Sequence, residues 1–339
     1  MISGVRDKKL WIGSAISLVF LFFLFRKLDY GQLVAAFRGM DYRYLIPALI
    51  STIFSYWLRA VRWRLLLMPL KATRMKNLFP ATIIGYMANN LLPARLGEFV
   101  RAYTLARSES LTTSGVFASL VIDRLCDGFT VLLILLITLF TVRLPAGMES
   151  VQQSMVLGGY AIFGVYALVV IFIVALKRWN RSTLRVIATL LKPLPERVTV
   201  KVISLIDAFM GGLRLSLHPA ALGAVVLTSL AIWTTAIWPV DLVLRAFGID
   251  LPVAASLFIM IFLVFAVMVP AAPGYIGTYH VACVTSLSAF NVGKEKALSV
   301  ALVIHALGFF PVIVLGFWYL WKANLSLSSI QEETAKAET

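Results

Sequence analysis

The chain has 339 residues, of which 60% are hydrophobic and 14% are charged, and its formal net charge is +15. A soluble domain is about 45–50% apolar and about 25% charged, so this composition excludes an ordinary soluble protein and indicates an integral membrane protein. The excess of bases lies beside apolar segments, which is typical of membrane loops that face anionic lipid and not of a nucleic-acid-binding surface.

The hydropathy pattern divides the chain into apolar segments. A spanning helix needs about 20 apolar residues, within a range of about 17–25. This criterion predicts six spans, at residues 10–25, 44–58, 111–142, 156–176, 219–240 and 298–321. Two further apolar segments, 78–92 and 253–269, run directly into polar motifs. We therefore predict an all-α integral membrane protein with about six spanning helices and two broken or re-entrant hairpins, which makes eight apolar segments.

We expect a single polytopic membrane domain followed by a polar tail. The domain occupies residues 1–325 and the tail residues 326–339. The first half of the domain is 1–142 with a hairpin at 78–107, and the second half is 156–325 with a hairpin at 253–291. Each half then contains one hairpin, and the two hairpins would enter the membrane from opposite faces. Such an inverted repeat is the architecture of many transporters. The longer second segment, 253–269, is also long enough to span, which would weaken the hairpin interpretation.

Loop charge predicts the orientation. The loop after the second predicted span carries six bases and no acid: Arg59, Arg62, Arg64, Lys71, Arg74 and Lys76. The connector after residue 176 is equally basic, whereas 143–155 and 241–252 are not. We expect the two basic loops and both termini to be cytoplasmic, in a multi-pass protein of the inner membrane. Several tryptophans near span ends, Trp63 among them, fit an interfacial aromatic belt.

The two polar motifs resemble each other. Residues 93–99 and 273–279 both read Pro, three residues, Gly, a polar residue and an aromatic residue. Proline breaks the helical hydrogen-bond ladder, and glycine permits unusual dihedral angles and close approach. Five residues are therefore predicted to form backbone turns: Pro93, Gly97, Pro273, Gly274 and Gly277.

Ionisable groups are concentrated around the first motif, although they are costly inside a membrane. The predicted cluster contains three bases and three acids and is formally neutral: Arg95, Arg101, Arg124, Glu98, Asp123 and Asp127. Two interpretations are open. The charges lock the first hairpin against the next span, or an arginine exchanges its carboxylate for a lipid phosphate, which suits the guanidinium group.

Three further polar residues are candidates for headgroup binding. Asn89 and Asn90 either donate to phosphate or ester oxygens or cap the broken helix end. His280 follows the second turn, where it relays a proton, binds a headgroup or is simply hydrogen-bonded. The sequence shows no Walker A motif, no G-x-G-x-x-G motif, no metal-ligand spacing and no catalytic triad. We therefore expect neither an enzyme nor a cofactor or metal site.

The motif Asn-x-x-Leu-Pro-Ala-Arg-x-Gly-Glu-x-x-Arg at 89–101, the element Asp-Arg-x-x-Asp at 123–127 and the late Pro-Gly-x-x-Gly turn resemble a known family. The chain is similar to the membrane, flippase-like domain of lysylphosphatidylglycerol synthetases. The resemblance implies lipid translocation. In fused members a separate synthase domain makes the aminoacylated lipid, and we expect this chain to be a stand-alone member without it. The family's late turn more often carries Gly and Glu where this chain has Tyr275 and His280.

The leading hypothesis is a flippase-like transporter of an anionic phospholipid or a polyprenyl-phosphate-linked sugar. Arg95, Arg101 and Arg124 would hold phosphate, with Asn89, Asn90 and His280 as further contacts. Two alternatives are a non-transporting membrane partner of lipid-linked glycan enzymes and a membrane enzyme acting on lipid-linked substrates. The partners expected are membrane lipids and no nucleic acid, and the sequence leaves the oligomeric state open.

Overall fold

A computed structural model describes residues 29–92, 96–142, 149–178, 219–268 and 272–323, together with Phe22 and Thr189. The rest of the predicted first span, the residues Pro93 to Arg95 of the first turn, most of the basic connector after 178 and the polar tail lie outside the described residues. Within them the chain forms helices and turns and no strand. In chain order the α-helices α1 to α10 are Tyr30–Arg38, Leu45–Leu67, Met75–Leu91, Gly97–Glu109, Thr113–Thr141, Glu149–Arg178, Pro219–Ala246, Val253–Met268, Thr278–Ser288 and Lys294–Lys322.

The helices confirm an all-α membrane protein. Among the described residues, three helical stretches are long and apolar enough to cross a membrane: Tyr42–Leu67, Pro219–Ala246 and Lys294–Lys322. Their mean hydropathies are 1.3, 1.9 and 2.5. Large apolar side chains also point outward from the bundle, and Phe140 is 88% exposed. Because such a surface is unfavourable in water, it is consistent with a surrounding of lipid tails.

Helix α2 is longer than the predicted span at 44–58, and this is a correction. It begins at Leu45 and continues to Leu67, so Arg59 and Arg62 lie on a helix and not in a cytoplasmic loop. The helix stays inside the bundle because carboxylates on α5 compensate the charges of these arginines. Trp63, predicted to lie at the interface, is fully buried, and its indole N–H donates to Ser119 Oγ at 2.9 Å.

Helices α2 and α7 form an extensive antiparallel contact. Small polar residues line this contact, so that the two helices approach closely. The hydroxyl group of Ser51 donates to the carbonyl oxygen of Thr235 at 2.8 Å, and that of Ser55 donates to the carbonyl oxygen of Ile232 at 3.3 Å. Helix α7 extends beyond the predicted boundary at residue 240, and its last turn holds the ion pair of Asp241 with Arg245.

Two helical hairpins open toward opposite ends of the bundle. In the first, α3–α4, Glu109 at the end of α4 accepts a 2.8 Å hydrogen bond from Asn77 Nδ2 at the start of α3. We call this the Glu109 end. In the second, α8–α9, Phe258 near the start of α8 packs edge-to-face on Phe290, just after α9, at 5.5 Å. The open end of this hairpin lies at the same end of the bundle as the hydrogen bond from Asp41 N–H to Ala246 O. We call this the Asp41 end.

The hairpin helices are short. Helices α3 and α8 contain 17 and 16 residues, and α4 and α9 contain 13 and 11. At about 1.5 Å per residue, each is shorter than a hydrocarbon core of about 30 Å. Helix α8 therefore ends before it could cross alone, and the chain turns back at residues 272–277. Re-entry of each hairpin from one side of a membrane stays a prediction that fits this geometry.

Candidate functional site

The turns of the two hairpins meet inside the bundle. The hydroxyl group of Tyr275 in the second turn donates to the carbonyl oxygen of Asn89 at the end of α3, at 3.3 Å. Two predicted glycines give this turn its shape, since Gly274 has φ +75° and Gly277 has φ +96°. These angles are costly for residues with a Cβ atom. Pro273 begins the turn as the first residue of a short 3₁₀ helix.

Asn89 caps the first turn. Its side-chain oxygen accepts from the N–H of Gly97 at 2.8 Å, and its amide group donates to Glu98 Oε1 at 3.4 Å. Of the two roles predicted for Asn89, the structure shows capping, although the capped end is the start of α4. The side chain of Asn90 is half-buried and makes no hydrogen bond to another described residue. A Cβ atom on Gly97 would overlap the carbonyl oxygen of Gly85, so glycine is required where α3 and α4 touch.

Asp123 is the centre of the charge cluster. It is completely buried on α5 and contacts arginines from three helices. Its Oδ1 accepts from Arg62 Nε at 2.8 Å, and its Oδ2 accepts from Arg101 Nη1 at 3.1 Å and Arg124 Nη2 at 3.2 Å. A buried carboxylate with three cationic partners is held ionised, and removal of its charge would leave those partners uncompensated.

Asp127, one turn further along α5, extends the network. It accepts from Arg62 Nη2 at 2.7 Å and lies 3.2 Å from Arg124 Nη2 and 3.4 Å from Arg59 Nη1. Glu98 contributes a longer ion pair, with 3.7 Å between its Oε1 and Arg124 Nε. The structure thus brings together Glu98, Arg101, Asp123, Arg124 and Asp127 as predicted from the sequence. Arg95 lies outside the described residues.

Glu98 pairs with Arg124 of α5 and not with Arg101 of its own helix. Arg101 points the other way, where its guanidinium carbon lies 4.0 Å from the centre of the Trp63 ring. This is within the range of a cation–π interaction, here in a buried setting. Burial of Arg101 against Asp123 and Trp63 leaves it inaccessible to a headgroup.

The sequence interpretation missed Arg59 and Arg62. Both were assigned to a loop because three arginines occur within six residues. A signal was present, since the apolar pattern continues through Leu58, Trp63 and Leu66 without a turn residue. Arg59 and Arg62 follow that pattern at a spacing of three, which places them on neighbouring positions of one helix face.

These two arginines change the charge balance. The described cluster has four arginines, Arg59, Arg62, Arg101 and Arg124, facing three carboxylates. The predicted neutrality is therefore replaced, for these residues, by one surplus positive charge. Several donors are also unused. The Nε and Nη2 atoms of Arg101 and the Nε atom of Arg124 are buried and have no hydrogen-bond acceptor among the described residues.

A cavity of about 180 Å³ lies between the hairpins and beside this cluster. Helices α2, α3, α7, α8, α9 and α10 all contribute to its wall, so both halves of the chain form it. Its polar lining comes from hydroxyl groups and one guanidinium: Thr52, Ser55, Tyr56, Arg59, Tyr86 and Tyr279. Tyr86 connects cavity and cluster, because its hydroxyl oxygen accepts from Arg59 Nη1 at 3.1 Å and from Arg124 Nη2 at 2.8 Å.

His280 lies beyond the cavity, next to a second histidine. It is 4% exposed, its Nδ1 accepts from Gly277 N–H at 3.3 Å, and its Nε2 has no described partner. The ring centre of His305 on α10 is 4.9 Å away, and His305 Nε2 lies 2.8 Å from the carbonyl oxygen of Gly274. The histidines thus brace the second turn, and His280 is not part of the arginine cluster. Tyr279, stacked on His305, separates the pair from the cavity.

Comparison with known proteins supports the resemblance seen in the motifs. Residues 10–316 match the family described as the lysylphosphatidylglycerol synthase TM region. The chain is similar to the glycosyltransferase AglD of Haloferax volcanii, with 26% identity over 308 residues that cover 84% of this chain and 49% of that protein. It therefore spans about half the length of this relative. It is also similar to a UPF0104 membrane protein of Methanothermobacter thermautotrophicus, with 25% identity over 71% of this chain and 73% of that protein.

Proposed function

Since this chain belongs to the family of lysylphosphatidylglycerol synthase transmembrane regions, we propose that it moves a lipid with an anionic headgroup from one membrane leaflet to the other. The lipid is an anionic phospholipid or a polyprenyl-phosphate-linked sugar. The headgroup passes through the cavity between the two hairpins while its tails stay in the surrounding lipid. We place the protein in the cytoplasmic membrane with the basic Glu109 end inside, following the charge rule for loops.

The surplus positive charge beside the cavity is the observation that carries this proposal. Among the described residues four arginines face three carboxylates, and a guanidinium group cannot lose its proton at any relevant pH. Only an anion can balance the remaining charge, and phosphate matches the geometry of guanidinium donors. Because irregular backbone inside a membrane protein is tolerated where it lines a polar cavity, the meeting of two turns supports the same path.

The cluster divides into a rigid part and an accessible part. The side chains of Arg62 and Asp123 are both 0% exposed, whereas that of Arg124 is 35% exposed and that of Arg59 faces the cavity. The two interpretations drawn from the sequence therefore apply to different residues. Through Asp123, Arg62 locks α2 against α5, and Arg101 locks the first hairpin against α5. Arg59 and Arg124 remain able to exchange a carboxylate for a phosphate.

Transport is tested in liposomes. The protein is reconstituted with acyl-labelled fluorescent phosphatidylglycerol, and a membrane-impermeant reductant is added outside. We expect the inner-leaflet label to be quenched faster than in empty liposomes, and Arg59→Gln and Arg124→Gln to slow the quenching. Arg64→Gln is the matched control, because Arg64 is exposed on the same helix as Arg59. Rates equal to those of empty liposomes, with phosphatidylglycerol and with a polyprenyl-phosphate sugar, would contradict the proposal.

A second candidate function is a membrane partner of enzymes that act on lipid-linked glycans. It is supported by the similarity to a protein named as a glycosyltransferase, of which this chain matches about half. In this case the cluster would serve folding and complex formation, and Arg59→Gln would reduce recovery of the enzyme with the tagged chain. Unaltered recovery together with slowed lipid movement would favour transport.

A catalytic role is the weakest of the three hypotheses. Asp123 is fully buried and contacts three arginines, so it has no accessible lone pair for a substrate proton. Glu98 is more accessible, at 22% exposure of its side chain, and is paired with Arg124. We propose that this chain is not itself an enzyme. Turnover of a lipid-linked substrate that disappears in Glu98→Gln would contradict this.

A further inference from the structure

We infer that the cavity between the hairpins selects headgroups that carry a phosphoester and hydroxyl groups but no amine. The inference rests on the proposed function and specifies its substrate class. The phosphate contacts Arg59 and Tyr86, and the remainder of the headgroup faces Tyr279, Tyr56 and Ser55. None of these five residues was predicted from the sequence to bind the lipid.

The phosphate position follows from the unused donors of Arg59 and Tyr86. Arg59 donates from a single nitrogen, Nη1, to Tyr86 and Asp127, and its guanidinium group faces the cavity. Tyr86 accepts hydrogen bonds from two guanidinium groups, at 3.1 and 2.8 Å, and its own proton is left to donate. A hydroxyl group that accepts from cations is polarised into a stronger donor. Together the two residues present charged and neutral donors to one oxygen-rich group.

The exclusion of amines follows from the lining. Among the thirteen residues that line the cavity there is one arginine and no carboxylate. An ammonium group placed there meets Arg59 in a medium of low dielectric constant and finds no compensating charge. The nearest carboxylate, that of Asp127, is already paired with three arginines. Hydroxyl groups of a headgroup meet no such penalty, because Tyr279 offers a donor and an acceptor. Ser55 and Tyr56 donate to the carbonyl oxygens of Ile232 and Gly308, and their hydroxyl oxygens remain available as acceptors.

The size of the cavity limits the headgroup. About 180 Å³ is the volume of about six water molecules at about 30 Å³ each. It is smaller than the about 300–1,000 Å³ typical of drug-sized ligands. The cavity therefore accommodates a compact group, such as a phosphoglycerol unit or the first part of a sugar phosphate.

Binding is tested with the purified full chain in detergent, by the shift of its thermal unfolding midpoint as each probe is titrated. The probes are dioctanoyl phosphatidylglycerol, its lysyl ester and free glycerol 1-phosphate. We expect phosphatidylglycerol to bind about tenfold more tightly than the lysyl ester, a difference of about 1.4 kcal/mol. Arg59→Gln and Tyr86→Phe are expected to abolish this preference, and Arg64→Gln to preserve it.

A charge introduced into the cavity provides the converse test. Ser55→Asp is expected to reverse the preference toward the lysyl ester, whereas Ser108→Asp, on the exposed surface, is not. Equal binding of both lipids by the wild type would overturn the inference, as would a preference unchanged in Arg59→Gln and Ser55→Asp. Equally tight binding of free glycerol 1-phosphate would assign the cavity to soluble phosphoesters instead. A preserved preference without lipid movement in liposomes would contradict the transport proposal alone.

Discussion

The hydroxyl group of Tyr275 donates to the carbonyl oxygen of Asn89 at 3.3 Å, across 186 residues of chain. This hydrogen bond joins the turns of two hairpins that open toward opposite ends of the bundle. Tyr275→Phe removes it while keeping the ring. We expect a loss of about 0.5–1.5 kcal/mol in the free energy of unfolding. Chemical unfolding in detergent measures it, with Tyr30→Phe as control, because the Tyr30 side chain is 61% exposed and makes no hydrogen bond to another described residue. Equal stability of Tyr275→Phe and the wild type would show that the turns are not coupled through this contact.

Asp123 is predicted to be the most sensitive residue of the charge cluster. Asp123→Asn keeps the shape of the side chain but removes the charge that compensates Arg62, Arg101 and Arg124. Breaking a buried ion pair costs about 3–5 kcal/mol. We expect severe loss of folded protein, measured as the monodisperse fraction after purification. Asp250→Asn, at an exposed position, is the control. Wild-type yield and stability of Asp123→Asn would contradict the described network.

The contact of α3 with α4 depends on the absence of two side chains. A Cβ atom on Gly85 would lie 2.6 Å from Arg101 Cβ, and one on Gly97 would overlap Gly85 O. Overpacking of this kind costs about 1–3 kcal/mol. We expect Gly85→Ala and Gly97→Ala to lower the thermal unfolding midpoint. Gly223→Ala is the matched control, since nothing lies within 4 Å of its added Cβ atom. If all three variants unfold at one temperature, the close approach is not required.

The opposed hairpins are tested by chemical labelling. Ser108 near the end of α4 and Ser288 at the end of α9 are both exposed. Each is replaced by cysteine in a chain whose two native cysteines, Cys126 and Cys283, are changed to alanine. A membrane-impermeant maleimide is expected to label Ser288→Cys in intact cells and Ser108→Cys only after permeabilisation. Labelling of both from the same side would contradict hairpins that enter from opposite faces.

Glu109 makes stability depend on pH. Burial raises the pKa of its carboxyl group, but hydrogen bonds from Asn77, from the N–H of Arg74 and from Lys71 outweigh this and lower the pKa below its usual value. The ionised group therefore stabilises the folded state above the unfolded pKa of about 4.3, and this contribution is lost as the pH falls through the lower folded value. We expect Glu109→Gln to lower the thermal unfolding midpoint at pH 7. On acidification the midpoint of this variant is expected to fall less than that of the wild type. Parallel pH profiles of the two proteins would contradict this.

The sequence was a good guide to the helices and a poorer guide to their partners. The turn glycines and the acids of α5 were recognised because their spacing breaks an apolar pattern. Arg59 and Arg62 were missed because a charge in a membrane helix is acceptable only when another helix compensates it, and that requires tertiary contacts. His280 and His305 are 25 positions apart and are adjacent only because α9 folds back beside α10.

Different kinds of contact hold the two helices of each hairpin together at the end opposite its turn. The first is held by Glu109 with Asn77 and with Lys71, whose side chain is 44% exposed. The second is held by the Phe258–Phe290 ring contact, which contains no charge. Dissolved ions screen an exposed ion pair and leave an aromatic contact nearly unchanged. The contacts that join α3 to α4 at the Glu109 end therefore weaken as ionic strength or acidity rises, whereas the ring contact between α8 and the residue after α9 does not.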